Sequence, residues 1–172
     1  MYQRPVVRER TFVDGGGRPI PYGHRWEGSP PDEAYSRTSN TERYRPLHDV
    51  ARALVDWLAA TYTVTVEELP PDGGTAGTTA ERIVRVTPMD PTAAPLTFEF
   101  TDFPGVIVGA GALAAHVAPH CGCDACDEDV LAAVEELEQF VFAVVGGRLL
   151  SAAQLAEARA RIPEGGRWSA WT

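Results

Sequence analysis

Leu96-Thr97-Phe98-Glu99-Phe100-Thr101-Asp102-Phe103-Pro104-Gly105-Val106-Ile107-Val108-Gly109-Ala110 is the stretch that decides the fold. Its flanks are rich in Phe, Val, Ile and Thr with partial alternation, the composition of a half-buried pleated surface. Between them, Asp102-Phe103-Pro104-Gly105 places Pro and Gly where a tight β-turn needs them. The spacing predicts antiparallel strands over Leu96 to Thr101 and Gly105 to Ala110. Upstream, Thr63 to Leu69 and Arg82 to Thr87 share this character, so a four-stranded antiparallel meander is expected. The link Pro88 to Pro95 holds three prolines and reads as a rigid turn. Pro70 to Glu81 is almost entirely Pro, Gly, Thr and Ala and reads as a mobile hairpin loop.

Two helical patterns bracket the strands. Leu47, Ala51, Leu54, Leu58 and Tyr62 recur at helical spacing, with Val50 and Trp57 widening the stripe, and predict a helix over about 42–62. Thr41 or Asn40 can cap it, and Pro46 is acceptable only in its first turn. Val130, Val134, Leu137, Val141 and Val144 predict a second helix over about 127–145, ended by Gly146-Gly147. Asp127, Glu128 and Asp129 stand in its first turn, where carboxylates favour the positive end of the helix dipole. Both stripes are expected to pack on one face of the sheet. Ser151 to Arg161 reads as a third, Ala-rich helix, followed by a tail with Trp168 and Trp171.

The fold class expected is therefore α+β: a four-stranded meander, two main helices on one face, and an extended Pro/Gly-rich N-terminal arm. At 172 residues, 44% hydrophobic and 23% charged, the chain fits a single domain. Within 1–172 the parts are an arm over 1–40, a core over 41–150 and a C-terminal helix and tail over 151–172. Asp14-Gly15-Gly16-Gly17 marks a turn in the arm, Asp32 to Tyr35 begins a helical turn, and Tyr22, Trp26 and Tyr35 are handles for docking it.

Charge narrows the function. The net charge is −9, with fifteen basic residues, all Arg, against 24 acids. Nucleic acid and anionic membrane are thereby disfavoured, because both demand dense positive potential. With no Lys, neither a lysine Schiff base nor a lysine phosphate clamp can operate. No apolar run reaches the ~20 residues that cross a bilayer. The opening Met-Tyr-Gln-Arg-Pro lacks a signal-peptide core, which predicts a cytoplasmic protein with reduced thiols. Asp129, Glu135, Glu136 and Glu138 are expected to face water and offer a basic protein partner a negative surface. The sequence is silent on oligomeric state.

The one concentrated chemical feature is Pro119-His120-Cys121-Gly122-Cys123-Asp124-Ala125-Cys126-Asp127-Glu128, which holds all three cysteines of the chain within six residues. Thiolate is the metal-binding form, and Gly122 lets the chain wrap a Cys-x-Cys-x2-Cys set around one ion. Structural zinc is tetrahedral, so a fourth ligand is required: His120 or His116, with Asp124, Asp127 and Glu128 as oxygen alternatives. Two other readings compete: reduced cysteines packed as small hydrophobes, and a redox dithiol at Cys123 and Cys126. Flanking carboxylates raise thiol pKa values and argue against the last. His48 reads as part of a solvated helix face, and Asp102 as a turn cap that could also pair with Arg25 or Arg43. No nucleophile elbow, dinucleotide loop or phosphate loop is present.

Thr41-Glu42-Arg43-Tyr44-Arg45-Pro46-Leu47-His48, Ala94-Pro95-Leu96-Thr97, Phe100 to Gly105 and Cys121-Gly122-Cys123-Asp124-Ala125-Cys126-Asp127-Glu128 together resemble the signature segments of a bacterial protein family of unknown function. Ile20 to Trp26 and Ser29-Pro30-Pro31 are similar to its N-terminal segment. The resemblance covers roughly residues 15 to 150, departs beyond Leu150, and implies no activity. The function expected is a non-catalytic acidic interaction module with a zinc-stapled cysteine loop. The alternative is a metal- or thiol-dependent enzyme using the same loop beside His116 and His120.

Overall fold

The computed structural model describes residues 1–8, 10–71, 79–111, 114–148 and 169–172. The expected 151–161 helix and the middle of the expected 70–81 loop lie outside the described residues. The rest is an α+β arrangement of two α-helices and one antiparallel sheet. Helix α1 spans Pro46–Thr61, strands β1 Val64–Leu69, β2 Ala80–Pro88, β3 Leu96–Thr101, β4 Val106–Ala110 and β5 Ala114–Ala118 follow, and helix α2 spans Val130–Val145. The sheet is five-stranded, in the order β1-β2-β3-β4-β5, rather than four-stranded.

The unforeseen strand is β5. Its Ala-Ala-His-Val-Ala sequence has little β propensity, so nothing local announces it. It forms because the edge of β4 offers a free ladder, and the register Val106↔Ala118, Val108↔His116 and Ala110↔Ala114 fills it.

Alternation assigns the faces. Through the pairs Val84↔Phe98, Val86↔Leu96, Phe98↔Val108, Phe100↔Val106 and Val108↔His116, one side of the sheet carries most of its large apolar residues, with Leu69, Ile83, Ile107 and Val117 on the other. That side joins Leu47, Leu54 and Leu58 of α1 and Val134, Leu137 and Val141 of α2 in one buried cluster. The tail contributes Trp171, whose N–H donates to Val145 and whose indole donates to Ala94. Tyr2, Trp57 and Phe142 meet edge to face at 5.5–5.7 Å and bring the N-terminus onto both helices.

The helix starts differ from expectation for physical reasons. Pro46 has no N–H and its ring would clash with the carbonyl of Glu42, so Thr41–Tyr44 forms a separate 3-10 turn. Arg45 is the N-cap of α1, without a side-chain cap bond from Asn40 or Thr41. Asp129 is the N-cap of α2, accepting from Ala132 N at 3.0 Å, and Asp127 and Glu128 precede the helix instead of forming its first turn.

Two expected surface residues are buried. His48 is only 3% exposed: its Nε2 lies 2.9 Å from Gly105 O and its ring meets Phe100 edge-on at 5.3 Å. Glu138 is 5% exposed, accepting from Tyr2 Oη at 2.8 Å and Arg4 Nε at 2.9 Å. The expectation that Glu138 faces water is therefore corrected, and the same Arg4 reaches Glu135, its Nη1 3.9 Å from Glu135 Oε1. Asp102 caps its turn, accepting from Phe103 N at 2.8 Å.

Burial lowers the His48 pKa, partly offset by the Gly105 carbonyl, with Arg45 and Arg52 lowering it further. A depressed histidine binds its proton more tightly when the chain is unfolded, so stability falls as pH drops below the ordinary histidine range of about 6.5. Urea unfolding at about pH 7 and about pH 5 should show that loss, and His48→Gln should shrink it.

The N-terminal residues carry short local elements. Val13 bridges Pro19 across the Asp14 turn, and a 3-10 turn spans Asp32–Ser36. Tyr22 lies against Phe12, and the Arg43 guanidinium stands 4.2 Å over the Tyr22 ring. The further anchors of this segment are in the cysteine turn.

Candidate metal centre

Residues 119–129 connect β5 to α2, and the local sequence explains their tight course. Gly122 passes against the far end of the Phe103 ring, where any Cβ would overlap it. Asp127 adopts φ +49, a left-handed conformation that Asp tolerates better than bulkier residues. Glu128 turns back on the loop, and its carboxylate accepts from His120 N at 2.8 Å and Cys121 N at 3.0 Å.

The N-terminal segment clasps this loop from outside. Asp124 is fully buried and accepts from Ser39 N at 2.8 Å, Ser39 Oγ at 2.8 Å and Arg37 Nε at 3.0 Å, with Arg25 Nη1 at 3.6 Å. Burial by itself would raise its pKa. The Ser39 and Arg37 hydrogen bonds and the Arg25 charge outweigh burial and hold the carboxyl below the usual range. Backbone bonds reinforce the clasp: Asp124 N donates to Arg37 O at 2.7 Å, and Ala125 N to Ala34 O at 3.1 Å. Trp26 Nε1 donates to Asp124 O, and Arg25 N to Asp127 Oδ2 at 2.7 Å. The acids interleaved with the cysteines thus hold the loop to the chain.

So held, the loop brings its three thiols together. Cys121 and Cys123 sulfurs are 3.3 Å apart, Cys123 and Cys126 sulfurs 3.5 Å, and no disulfide joins them. Four ligands at ~2.3 Å in a tetrahedron stand ~3.8 Å apart, so an ion is admitted by outward rotations of a few tenths of an ångström. Three close cysteines in this arrangement can hold a metal ion. The Cys126 amide hydrogen bond lowers the Cys123 pKa, with burial opposing it and the neighbouring thiols and Ala125 N assisting. Hydrogen bonds with Cys121 and Cys123 push Cys126 up to about 12.

The two histidines expected beside the thiols are brought together with a residue that sequence reasoning did not connect to them. One donor atom from each of His116, His120 and Glu136 lies within 4.8 Å of the others. The imidazoles meet at 90° with centroids 5.0 Å apart, and His120 Nδ1 is 3.3 Å from Glu136 Oε2. His116 stacks on Phe140 at 5.5 Å. Burial lowers the His116 pKa, and the His120 charge lowers it further. Glu136 was legible only as an exposed helical acid. Its partnership depends on α2 lying along β5, the strand that the sequence did not announce.

These features define an α+β protein with a reduced three-thiol turn at the junction of its last described strand and helix. Over residues 8–172 the chain matches the family of unknown function DUF6226, and it belongs to that family. The match runs on through residue 172, so the tail beyond Leu150 conforms to the family where a departure was expected. No curated protein and no solved structure matches the chain. Among the described residues, no helix is long and apolar enough to cross a membrane.

Proposed function

We infer that the Cys121–Cys126 turn is a zinc-binding staple in a non-catalytic cytoplasmic protein whose acidic surface addresses a basic protein partner. One observation carries the metal reading: three reduced sulfurs converge to 3.3 and 3.5 Å on a turn clasped by Ala34, Arg37 and Ser39. Sulfur-rich sets select soft or borderline ions, among which zinc takes thiolates without redox change. Closing the turn with an ion locks the strand-to-helix junction and the N-terminal segment together, which is a structural task. The use of Asp124 and Glu128 as backbone clasps supports a structural rather than a catalytic reading, because both oxygens of each carboxylate accept hydrogen bonds within the fold. The net charge of −9 supports the choice of partner, with Glu135 and Glu136 more than half exposed on α2.

Elemental analysis of protein purified without added metal, with a thiol count before and after chelation, tests the ion. Metal-bound thiolates should react slowly until the chelator is added. Three freely titrating thiols in the untreated native protein overturn the reading. Association with a basic partner should weaken as salt rises, because exposed charges are screened over about 8 Å at physiological ionic strength. A partner held equally well in high salt rejects the acidic surface.

A further inference from the structure

We propose that His116, His120 and Glu136 form a second divalent transition-metal site, separate from the thiols and built across the β5–α2 packing. Four observations converge on it. First, the donor atoms of the three residues lie within 4.8 Å of one another. The His120 Nδ1 to Glu136 Oε2 separation of 3.3 Å matches the ~3.3 Å edge of a tetrahedron with N and O ligands at ~2.0–2.1 Å.

Second, His116 Nε2 is buried and has no hydrogen-bond partner among the described residues. Buried polar atoms are almost always satisfied, and an imidazole nitrogen without a protein partner is a donor awaiting a ligand.

Third, the ring is held in place. Val108↔His116 pairing puts His116 on the helix-facing side of β5, and Phe140 stacks on it with an interplanar angle of 23°. Phe140 and Glu136 are four residues apart on α2, hence on one helix face, so the packing that fixes the His116 ring also aims Glu136 at the pair. Fourth, the site is open to solution, with the His120 and Glu136 side chains 59% and 52% exposed. Glu128 Oε1, 3.8 Å from His120 Nδ1, stands by as a supporting carboxylate.

Two imidazoles and one carboxylate are the donors of a borderline divalent ion such as zinc, and three protein ligands leave a position for water or a small anionic ligand. The ion at the thiols and the ion at the imidazoles differ in donor chemistry, and that difference makes the site testable.

The full chain, stripped of metal, is titrated with cobalt(II). Two equivalents are expected, one with thiolate charge-transfer absorption and one with only the visible bands of nitrogen and oxygen ligation. Glu136→Gln should weaken the second at least tenfold and leave the first unchanged; because Glu136 is half exposed, this variant retains the fold. Zinc added to the Cys121→Ser/Cys123→Ser/Cys126→Ser variant should still bind at one equivalent and shift the imidazole resonances of His116 and His120 together. A single equivalent with thiolate absorption, an unchanged second equivalent in Glu136→Gln, or imidazole resonances indifferent to zinc each overturns the site. Loss of the thiolate equivalent alone leaves this site standing and rejects the staple.

Discussion

Replacing Asp124 by Ala is expected to destabilise the protein by about 3 kcal/mol, the lower end of the range for removing one partner of a buried ion pair. The carboxylate is fully buried and is the common acceptor for Ser39 N, Ser39 Oγ and Arg37 Nε, with Arg25 beside it. Its removal leaves the Arg25 guanidinium, 19% exposed, without its nearest carboxylate and the Ser39 N–H without an acceptor. Arg37 is half exposed and can turn to water, which keeps the cost from the top of the range.

The pH dependence carries a sign. A carboxyl held below its usual range contributes stability that is complete above the unfolded pKa and disappears as pH falls through the folded one. Asp124→Asn should therefore flatten the acid limb of the stability profile below about pH 4. Urea unfolding of Asp124→Ala with a loss under ~0.5 kcal/mol would show that the clasp contributes little.

Which features were legible follows from the range of the interactions that make them. The β3-turn-β4 hairpin was readable because its alternation and its Pro-Gly turn are local and agree. The stripes of α1 and α2 were readable because a helix repeats its core contacts every three to four residues. Strand β5 was not, since alanine has no strand preference and only the free edge of β4 recruits it. Glu138 looked like its solvated neighbours; Tyr2 and Arg4, 136 and 134 residues away, make it a buried ion. His48 was misread likewise, its partner Gly105 O lying 57 residues downstream.

The site divides along the same line. Three cysteines within six residues announce their own proximity, so the sulfur cluster was visible. Its clasp by Arg25, Arg37 and Ser39 was not, because no periodicity links residues 25–39 to residue 124. The pairing of Glu136 with His116 and His120 needed both β5 and its packing on α2.

Leu54→Ala and Leu137→Ala should each cost about 2–5 kcal/mol, the range for deleting a buried leucine side chain with partial relaxation around it. Both leucines are 0% exposed and belong to the cluster shared by α1, α2 and the sheet. Leu54 lies near the middle of Pro46–Thr61 and Leu137 near the middle of Val130–Val145, so neither cavity can drain to a frayed helix end. Alanine is the best helix former, so the substitution itself favours the local backbone and any loss measures packing. A shift of the urea midpoint at unchanged slope, at equal metal content, is the expected signature. If both leucines contact one shared cavity, the double variant costs less than the sum of the two, because the second deletion enlarges a void already opened. Additive losses would place the cavities apart, each helix resting on its own part of the sheet. A loss below ~0.5 kcal/mol at either position would mean that its helix does not lean on the sheet through this stripe, and at Leu137 the placement of β5 beneath α2 would fall with it.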